Sequence, residues 1–201
     1  MVDLVTTCYV QGDPAIGGDA VVTWGYNQSG ESGPVTIVAD VSESGAVYGL
    51  TYRRTTEELF TLSVLKRHIA EGVGGLDAIY VMDMSSSSPS ATVWLELEDD
   101  LGINVGQDSI GTNAERGVDQ SPSHDVEAFD LVGKIGLGDM EISDDETTLF
   151  VMNILDKTVY AIDIATKTLS GTFPLPDPMC CLLYTSPSPR DATLSRMPSS
   201  A

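Results

Sequence analysis

Basic side chains cluster once in this acidic chain, at Lys66-Arg67-His68. Three neighbouring side chains of this kind can hold an anion or a carboxylate. The loop that follows contains Gly72-Val-Gly-Gly75, where backbone without a Cβ can approach a ligand closely. It is not a phosphate loop, because no Gly-Lys-Ser/Thr follows. Two interpretations stay open: an anion contact by Lys66, Arg67 and His68, or charges that only offset nearby carboxylates.

A second candidate is the long acidic connection from Glu98 to Asp130. Hard oxygen ligands at this density could bind calcium. The spacing matches no EF-hand, because no alternating Asp/Asn run is closed by a glutamate at the twelfth position. We therefore favour a mobile, solvated loop and expect no cofactor. A calcium site in this segment is the alternative. The carboxylates concerned are Asp99, Asp100, Asp108, Glu115, Asp119, Asp125 and Glu127.

A third candidate is His124-Asp125, with Ser121 and Ser123 nearby, which resembles half of a nucleophile-activating arrangement. A triad is defined by geometry, and adjacent residues in one flexible loop seldom supply it. No Gly-x-Ser-x-Gly elbow or His-Glu-x-x-His helix occurs in the sequence. We predict no catalytic residue, and we favour a protein that is not an enzyme.

The elements that must position these residues form an internal repeat. The segment from Gly49 to Asp83 recurs from Asp139 to Asp163. Phe60 aligns with Phe150 at an offset of 150 − 60 = 90, whereas Asp83 aligns with Asp163 at an offset of 163 − 83 = 80. About ten residues are therefore inserted between paired strands of the first copy. A repeat of this kind predicts stacked β-units.

Each copy alternates apolar and polar residues over short segments bounded by polar turns, which is typical of antiparallel strands. Four such strands in about forty residues make one blade of a β-propeller. We expect an outer strand of a preceding blade at Val35–Asp40, and a closing strand of the first copy at Thr92–Leu97. The strands predicted for the second copy are Met140–Ser143, Thr148–Met152, Thr158–Asp163 and a fourth from Gly171 to Pro174.

Two pairs of residues recur with the repeat. Asp83 and Asp163 end equivalent strands and could be ligand carboxylates, but we favour acceptors for backbone N–H groups of the following turn. Trp94 and Phe173 align at an offset of 173 − 94 = 79, and we expect them to pack between blades rather than to form a binding platform.

The second copy resembles the YVTN-type propeller repeat. It departs from that pattern at Glu146, in place of a turn glycine, and at Met152, in place of a threonine. With the Gly-rich loop and Gly133–Asp139, the resemblance spans about Pro34 to Pro176 and implies propeller segments of large bacterial secreted or cell-surface proteins. The matching residues are Ser143, Asp144, Leu149, Phe150, Val151, Asn153, Val159, Ile162, Asp163 and Thr166.

We therefore predict an all-β chain of antiparallel four-stranded blades, two complete and part of a third. Residues 1–179 form this incomplete β-propeller, with blade-like repeats at about 47–97 and 138–176 and a long loop at 98–130. The segment before Gly33, with Trp24 and Tyr26, is expected to belong to the incomplete blade. A closed ring needs at least four blades, so we expect the remaining blades to belong to the same, longer protein.

Residues 180–201 are rich in Ser and Pro. From Cys181 they resemble a translated sequencing-adapter tail found on unrelated open reading frames from environmental assemblies, although a disordered linker is the alternative. Without Arg190, Arg196 and Asp191, Lys+Arg falls from 10 to 8 and Asp+Glu from 30 to 29, so the net charge changes from −20 to −21. Cys8 is the one cysteine clear of this tail, and it indicates no redox compartment.

The negative charge disfavours nucleic acid and anionic membrane surfaces as partners. No apolar run reaches the roughly 20 residues that a membrane span needs, so we expect no membrane insertion. The leading prediction is a non-enzymatic scaffold or binding surface for a protein or glycan, located outside the cell or on its surface. The alternative is a fragment of a propeller enzyme, a calcium-dependent lactonase-like hydrolase or a dehydrogenase, with its site at the central channel.

Overall fold

The fold consists of three antiparallel β-sheets in a computed structural model that describes residues 3–12, 15, 17–28 and 35–176. The first sheet has three strands, and the other two have four each. The all-β prediction is therefore confirmed. The Ser/Pro-rich tail, and the comparison with an adapter sequence, lie outside the described residues.

The first sheet has the order β1 (Asp3–Thr7), β2 (Asp19–Gly25), β3 (Thr36–Asp40). Trp24 pairs with Leu4 in this sheet, whereas Tyr26 lies in the turn after β2. The strand predicted at Val35–Asp40 is β3, and it lies at the edge of the sheet, as expected. A short helix, α1 (Val41–Ser44), leads into the second sheet.

The second and third sheets are the two copies of the repeat. Their strands follow chain order, each paired with the next. The second sheet contains β4 (Val47–Arg53), β5 (Glu58–Ser63), β6 (Ala78–Asp83) and β7 (Thr92–Glu96). The third contains β8 (Leu137–Ile142), β9 (Thr148–Asn153), β10 (Thr158–Asp163) and β11 (Thr168–Pro174).

The predicted insertion is confirmed and lies between the second and third strands of the copies. Residues 64–77 connect β5 to β6, whereas residues 154–157 connect β9 to β10, a difference of 14 − 4 = 10 residues. Between the two sheets, residues 97–136 include α2 (Leu97–Leu101), a 3-10 turn (Gln107–Ser109) and α3 (Val126–Leu131). The predicted loop at 98–130 therefore contains short helices.

The second sheet packs against the first sheet on one face and against the third on the other. Side chains alternate between these two faces along each strand. Leu59 packs against the first sheet, in a core with Val21 and Val38. Phe60, the next residue, faces the third sheet and shares a core with Leu149 and Val151. A slip of one residue in β5 would exchange the contents of the two cores, so this alternation fixes the strand register.

The recurring aromatic residues lie at the faces of their own sheets. Trp94 packs edge-to-face on Phe60, with ring centroids 5.4 Å apart. The equivalent pair of the third sheet is Phe173 and Phe150, whose centroids are 6.4 Å apart with tilted rings. Lys167 of the third sheet lies over the Trp94 ring and donates to the Trp94 carbonyl at 2.7 Å. The predicted packing between sheets is thus confirmed for Trp94. For Phe173, the contact described is within its sheet.

The recurring aspartates accept hydrogen bonds from the turns that follow them. Asp83 Oδ1 accepts from the Ser85 backbone N–H at 2.9 Å and from its hydroxyl at 2.6 Å. Asp163 Oδ1 accepts from the Thr166 N–H and hydroxyl, each at 2.8 Å. These bonds lower the pKa of both carboxyls. The prediction of a structural role is confirmed.

Candidate functional site: the loop face

The long connections lie at one end of the sheets. Because neighbouring strands are antiparallel, β5 ends where β6 begins and where β7 ends. Residues 8–12, 64–77 and 97–136 therefore meet at one end, which we call the loop face, together with residues 154–157. The opposite end carries the tight turns 54–57 and 164–167 and is called the turn face. Long connections on a rigid scaffold are the usual place for binding residues.

Arg116 organises the loop face. Its guanidinium is completely buried and forms ion pairs with Glu71 at 3.1 Å and with Asp125 at 2.9 Å. Its Nε also donates to Asp125 Oδ1 at 3.1 Å. Nη2 donates to the carbonyls of Lys66 at 3.0 Å and Ile69 at 3.2 Å. One side chain thus ties the inserted loop 64–77 to the long connection 97–136.

The pKa values of the two carboxylates paired with Arg116 shift in opposite directions. Burial raises the pKa of Glu71, and Arg116 and Gln107 offset only part of that effect. Burial also acts to raise the pKa of Asp125, but hydrogen bonds from Arg116 and from the His68 backbone N–H lower it overall. Asp125 receives both the Nε and Nη2 donors, so the buried cation stabilises its charge more effectively than that of Glu71.

Amide side chains also join the connection 97–136 to the inserted loop 64–77, and a carboxylate bonds within the connection. Asn113 accepts from the Glu71 N–H and donates to the Glu71 carbonyl, each at 2.9 Å, in the manner of a neighbouring strand. Gln107 accepts from the Leu76 N–H. Glu98 Oε1 accepts from three consecutive N–H groups, those of residues 105–107, at 2.8–3.1 Å. The connection therefore has its own internal hydrogen bonding.

The interpretation of residues 98–130 as a solvated loop is wrong. Val105, Val118 and Ala128 are completely buried, as is Arg116 in its ion-pair network. Ile110 and Ala128 pack with Leu65, Leu76 and Ile135 in a small apolar cluster. Many acidic residues are present, but the apolar residues between them supply a core of their own.

The predicted anion-binding residues lie on the loop face, side by side. Lys66 Nζ lies over the Tyr9 ring at 4.9 Å. Arg67 is exposed, lies over the Phe129 ring at 5.2 Å and donates to the carbonyls of His124 and Asp125. His68 Nδ1 lies 3.1 Å from Ser123 Oγ. All three therefore have protein partners, and anion binding by them stays a prediction.

The candidate half-triad at His124-Asp125, which the sequence disfavoured, is not assembled. Asp125 is buried, and both of its oxygens are hydrogen-bonded by Arg116. Ser123 pairs with His68 instead. Among the residues that the structure describes, no hydrogen bond joins the His124 ring to Ser121 or Ser123. Asp125 thus acts as the partner of a buried arginine, for which it is well suited because the guanidinium is bidentate.

The glycines of the inserted loop make room for protein rather than for a ligand. A Cβ on Gly72 would lie 2.3 Å from the Ser44 carbonyl carbon, and one on Gly45 would lie 2.2 Å from the Gly72 nitrogen. A Cβ on Gly74 would meet the Ala78 Cβ at 2.6 Å. The backbone crossing near residues 45 and 72 is closer than any side chain permits. The interpretation of these glycines as ligand contacts is therefore replaced by a packing role.

The carboxylates of the connection form no metal-ligand set within the described part of the chain, where no three His, Cys, Asp or Glu side chains converge. Two open grooves lie beside them. One, of about 440 Å³, is lined by Glu71, Asp108 and Asn113 among others. The other, of about 670 Å³, is lined by Asp108, Glu115 and Glu127. Neither groove has a Lys, Arg or His in its lining.

Sequence reasoning missed Arg116, the centre of this site. A signal was present: Arg116 is the one Lys or Arg between residues 98 and 130, among many carboxylates. A lone cation in such a segment is well placed to form a salt bridge. Its burial and its second partner, Glu71, depend on the insertion in the other loop, which sequence spacing does not reveal.

Comparison with known proteins gives distant similarity. No protein-family model matches the chain. Colossin-A of Dictyostelium discoideum is 26% identical over 182 residues, which is 87% of this chain and 2% of that protein. Among solved structures, a luciferin-regenerating enzyme has a TM-score of 0.43 and 13% identity, covering 88% of this chain and 48% of that chain. The chain thus spans a small part of the curated relative and about half of that structure.

Helices in the described ranges are all too short and too polar to cross a lipid bilayer. The longest, α3, has six residues.

Proposed function

We propose that this chain is part of a β-propeller within a longer secreted or surface-attached protein, that its three sheets are blades, and that its loop face is a non-catalytic binding surface for a protein or glycan. The observation that carries the proposal is the buried network of Arg116, Glu71 and Asp125. It joins both long connections into one surface.

The network favours binding over catalysis because of how its charged groups are used. Arg116 donates only to protein acceptors, and Asp125 receives donors on both oxygens. Groups of this kind hold a surface in one shape and leave no paired acid and base facing a substrate. A preorganised surface loses little conformational entropy when it binds.

The proposal that the chain belongs to a longer protein draws on two observations. The similarity to Colossin-A extends over 87% of this chain but only 2% of that protein. The sheets are also stacked in chain order, each covering a face of the next through the two apolar cores. Location outside the cell draws on the net charge of −20, which suits solubility in salt.

Hydrogen exchange tests the binding function directly. The chain would be screened against immobilised glycans and against fragments of extracellular proteins, and each ligand found would be mapped by amide protection. We expect protection in residues 64–77 and 97–136, with residues 54–57 and 164–167 unchanged as internal controls. Protection confined to the turn face would contradict the proposal.

The enzymatic alternative is tested in parallel. The chain would be incubated with a lactone, a p-nitrophenyl ester and millimolar calcium. We expect no hydrolysis above the buffer rate. Turnover that scales with protein concentration and is lost on mutation of a loop-face carboxylate would replace the binding proposal with a catalytic one.

A further inference from the structure

An apolar stripe is exposed on α3, on the loop face. Val126 is 73% exposed and Phe129 is 67% exposed. Val132, at the end of the helix, is 40% exposed. Val126 and Phe129 are three positions apart and so lie on one side of the helix, and Val132 follows directly after its last residue. The inner side is occupied by Ala128, which is completely buried.

Carboxylates border this stripe on one flank. At about 100° per residue, Glu127 and Asp130 lie together beside Val126, between the apolar stripe and the edge of the acidic groove. The groove adds Asp108 and Glu115, and its lining contains no basic residue. The negative charges beside the apolar stripe thus continue from α3 into the groove, which Glu127 also lines.

The basic cluster Lys66-Arg67-His68 lies at the Phe129 side of the stripe, whereas the carboxylates lie at the Val126 side. Arg67 lies over one face of the Phe129 ring at 5.2 Å and also donates to two backbone carbonyls. Lys134 follows the helix and is exposed. The Arg67 contact illustrates that the Phe129 ring accepts a guanidinium by a cation–π interaction.

We propose that the loop face binds a basic amphipathic segment of a partner protein, which places apolar side chains on Val126, Phe129 and Val132 and lysines or arginines along Glu127, Asp130 and the acidic groove. This inference rests on the proposed binding function and names the class of partner. Charge complementarity selects a cationic polypeptide. It disfavours an anionic lipid surface or a nucleic acid, because the same carboxylates repel both.

A synthetic peptide tests the inference. The probe is a labelled helical peptide of Leu and Lys of about 14 residues, or four turns, with Leu at one face. Its counterpart carries Glu in place of every Lys. By fluorescence anisotropy, we expect the chain to bind the Lys peptide, and to bind it more weakly as salt is raised. Equal binding of both peptides, or no binding of the Lys peptide at about 100 µM, would overturn the inference.

Matched variants locate the contact. Phe129→Ser should weaken peptide binding at least about tenfold, since exposed aromatic anchors carry much of the energy of an interface. Glu127→Gln should weaken it about threefold and reduce the salt dependence. Tyr26→Ser, at a residue 66% exposed in the turn after β2, should change nothing. Unchanged binding by Phe129→Ser, with its fold verified by circular dichroism, would contradict the inference.

Two further outcomes separate the explanations. If the unliganded chain sediments as a dimer that Phe129→Ser converts to a monomer, a second copy covers the stripe and the inference is wrong. If the Lys peptide fails to bind while another ligand protects residues 64–77 and 97–136 in hydrogen exchange, the partner class is wrong but the proposed binding function stands.

Discussion

Glu146 reaches from the turn between β8 and β9 to Thr55 in the turn between β4 and β5. Its carboxylate accepts from the Thr55 backbone N–H at 2.9 Å and from the Thr55 hydroxyl at 2.7 Å. The Arg54 N–H adds a third hydrogen bond at 3.2 Å. This residue stands where the YVTN-type pattern, which the second copy resembles, has a glycine, and it takes the left-handed backbone, with φ of 58°, that a glycine would take.

Glycine at position 146 should destabilise the protein. Glu57 is the equivalent residue of the second sheet, with φ of 56°, but it is exposed. Glu57→Gly relieves a backbone strain of about 1 kcal/mol and should leave the stability within about 1 kcal/mol of the parent. Glu146→Gly gives the same relief but loses all three hydrogen bonds between sheets, so its Tm should fall by about 5 °C. Equal melting temperatures for the two variants would show that these bonds contribute nothing.

The Glu146 contribution should depend on pH. Hydrogen bonds from Thr55, first its hydroxyl and then its N–H, lower the pKa of Glu146 from its usual 4.5. A lowered pKa in the folded state stabilises the protein above the unfolded pKa, and that stabilisation is lost as the pH falls through the folded pKa. The stability difference between the parent and Glu146→Gln should be constant above about pH 5.5 and shrink below about pH 4.5. Urea titrations across this range measure it; a difference independent of pH would contradict the prediction.

Removing Arg116 should have a large effect on the loop face. Arg116→Leu leaves Glu71 and Asp125 buried without their cation, which costs about 3–5 kcal/mol of unfolding free energy. Arg54→Ala is the control, because that side chain is 81% exposed and its distance to Glu146 is 3.5 Å, which gives a weak ion pair. The control should stay within about 0.5 kcal/mol of the parent. Hydrogen exchange should accelerate in residues 64–77 and 103–131 first, before the strands.

Gly72 should not tolerate even alanine. Its Cβ would meet the Ser44 carbonyl carbon at 2.3 Å and the Tyr80 hydroxyl at 2.6 Å, and the Ser44 contact is with backbone. Gly72→Ala should therefore lose about 2 kcal/mol or more. Gly171→Ala is the matched control, since the nearest atom to its Cβ would be 3.6 Å away, in Phe173. A Gly72→Ala variant as stable as Gly171→Ala would show that the backbone crossing is looser than described.

Calcium should leave the melting temperature unchanged. Glu98, Asp125 and Glu71 already accept hydrogen bonds from protein donors, so binding a cation would require these bonds to break. Thermal melts with and without millimolar CaCl₂ measure the effect, with MgCl₂ at the same ionic strength as the control. A calcium-specific rise that saturates would establish a bound ion, because ligand binding to the folded state raises its stability.

Much of the sheet architecture is readable from sequence because strand alternation is local. The period of two places Phe60 and Phe150 on equivalent faces, and the offsets of 90 and 80 locate the insertion. The polar turns are equally local, since Asp83 and Asp163 bond to groups two or three residues away. Strand order follows because successive strands pair.

The loop face was less predictable because its contacts are distant in sequence. Arg116 meets Glu71, which is 45 residues away, and Asn113 meets the same residue from 42 residues away. Periodicity carries no information about such pairs. The acidic composition of residues 98–130 also favoured a solvated loop, although buried residues such as Val105 and Val118 give the segment a packed interior.

The unequal lengths of the connections have a consequence for how the fold can vary. Four-residue turns such as 54–57, 164–167 and 154–157 fix strand registers, while the long connections of the loop face pack largely on each other. New sequences could therefore be grafted into residues 119–122, before Ser123 and His124 contact His68 and Arg67, without altering any strand pairing. The protein would then serve as a display framework whose diversified loop is separate from the turns that set its registers.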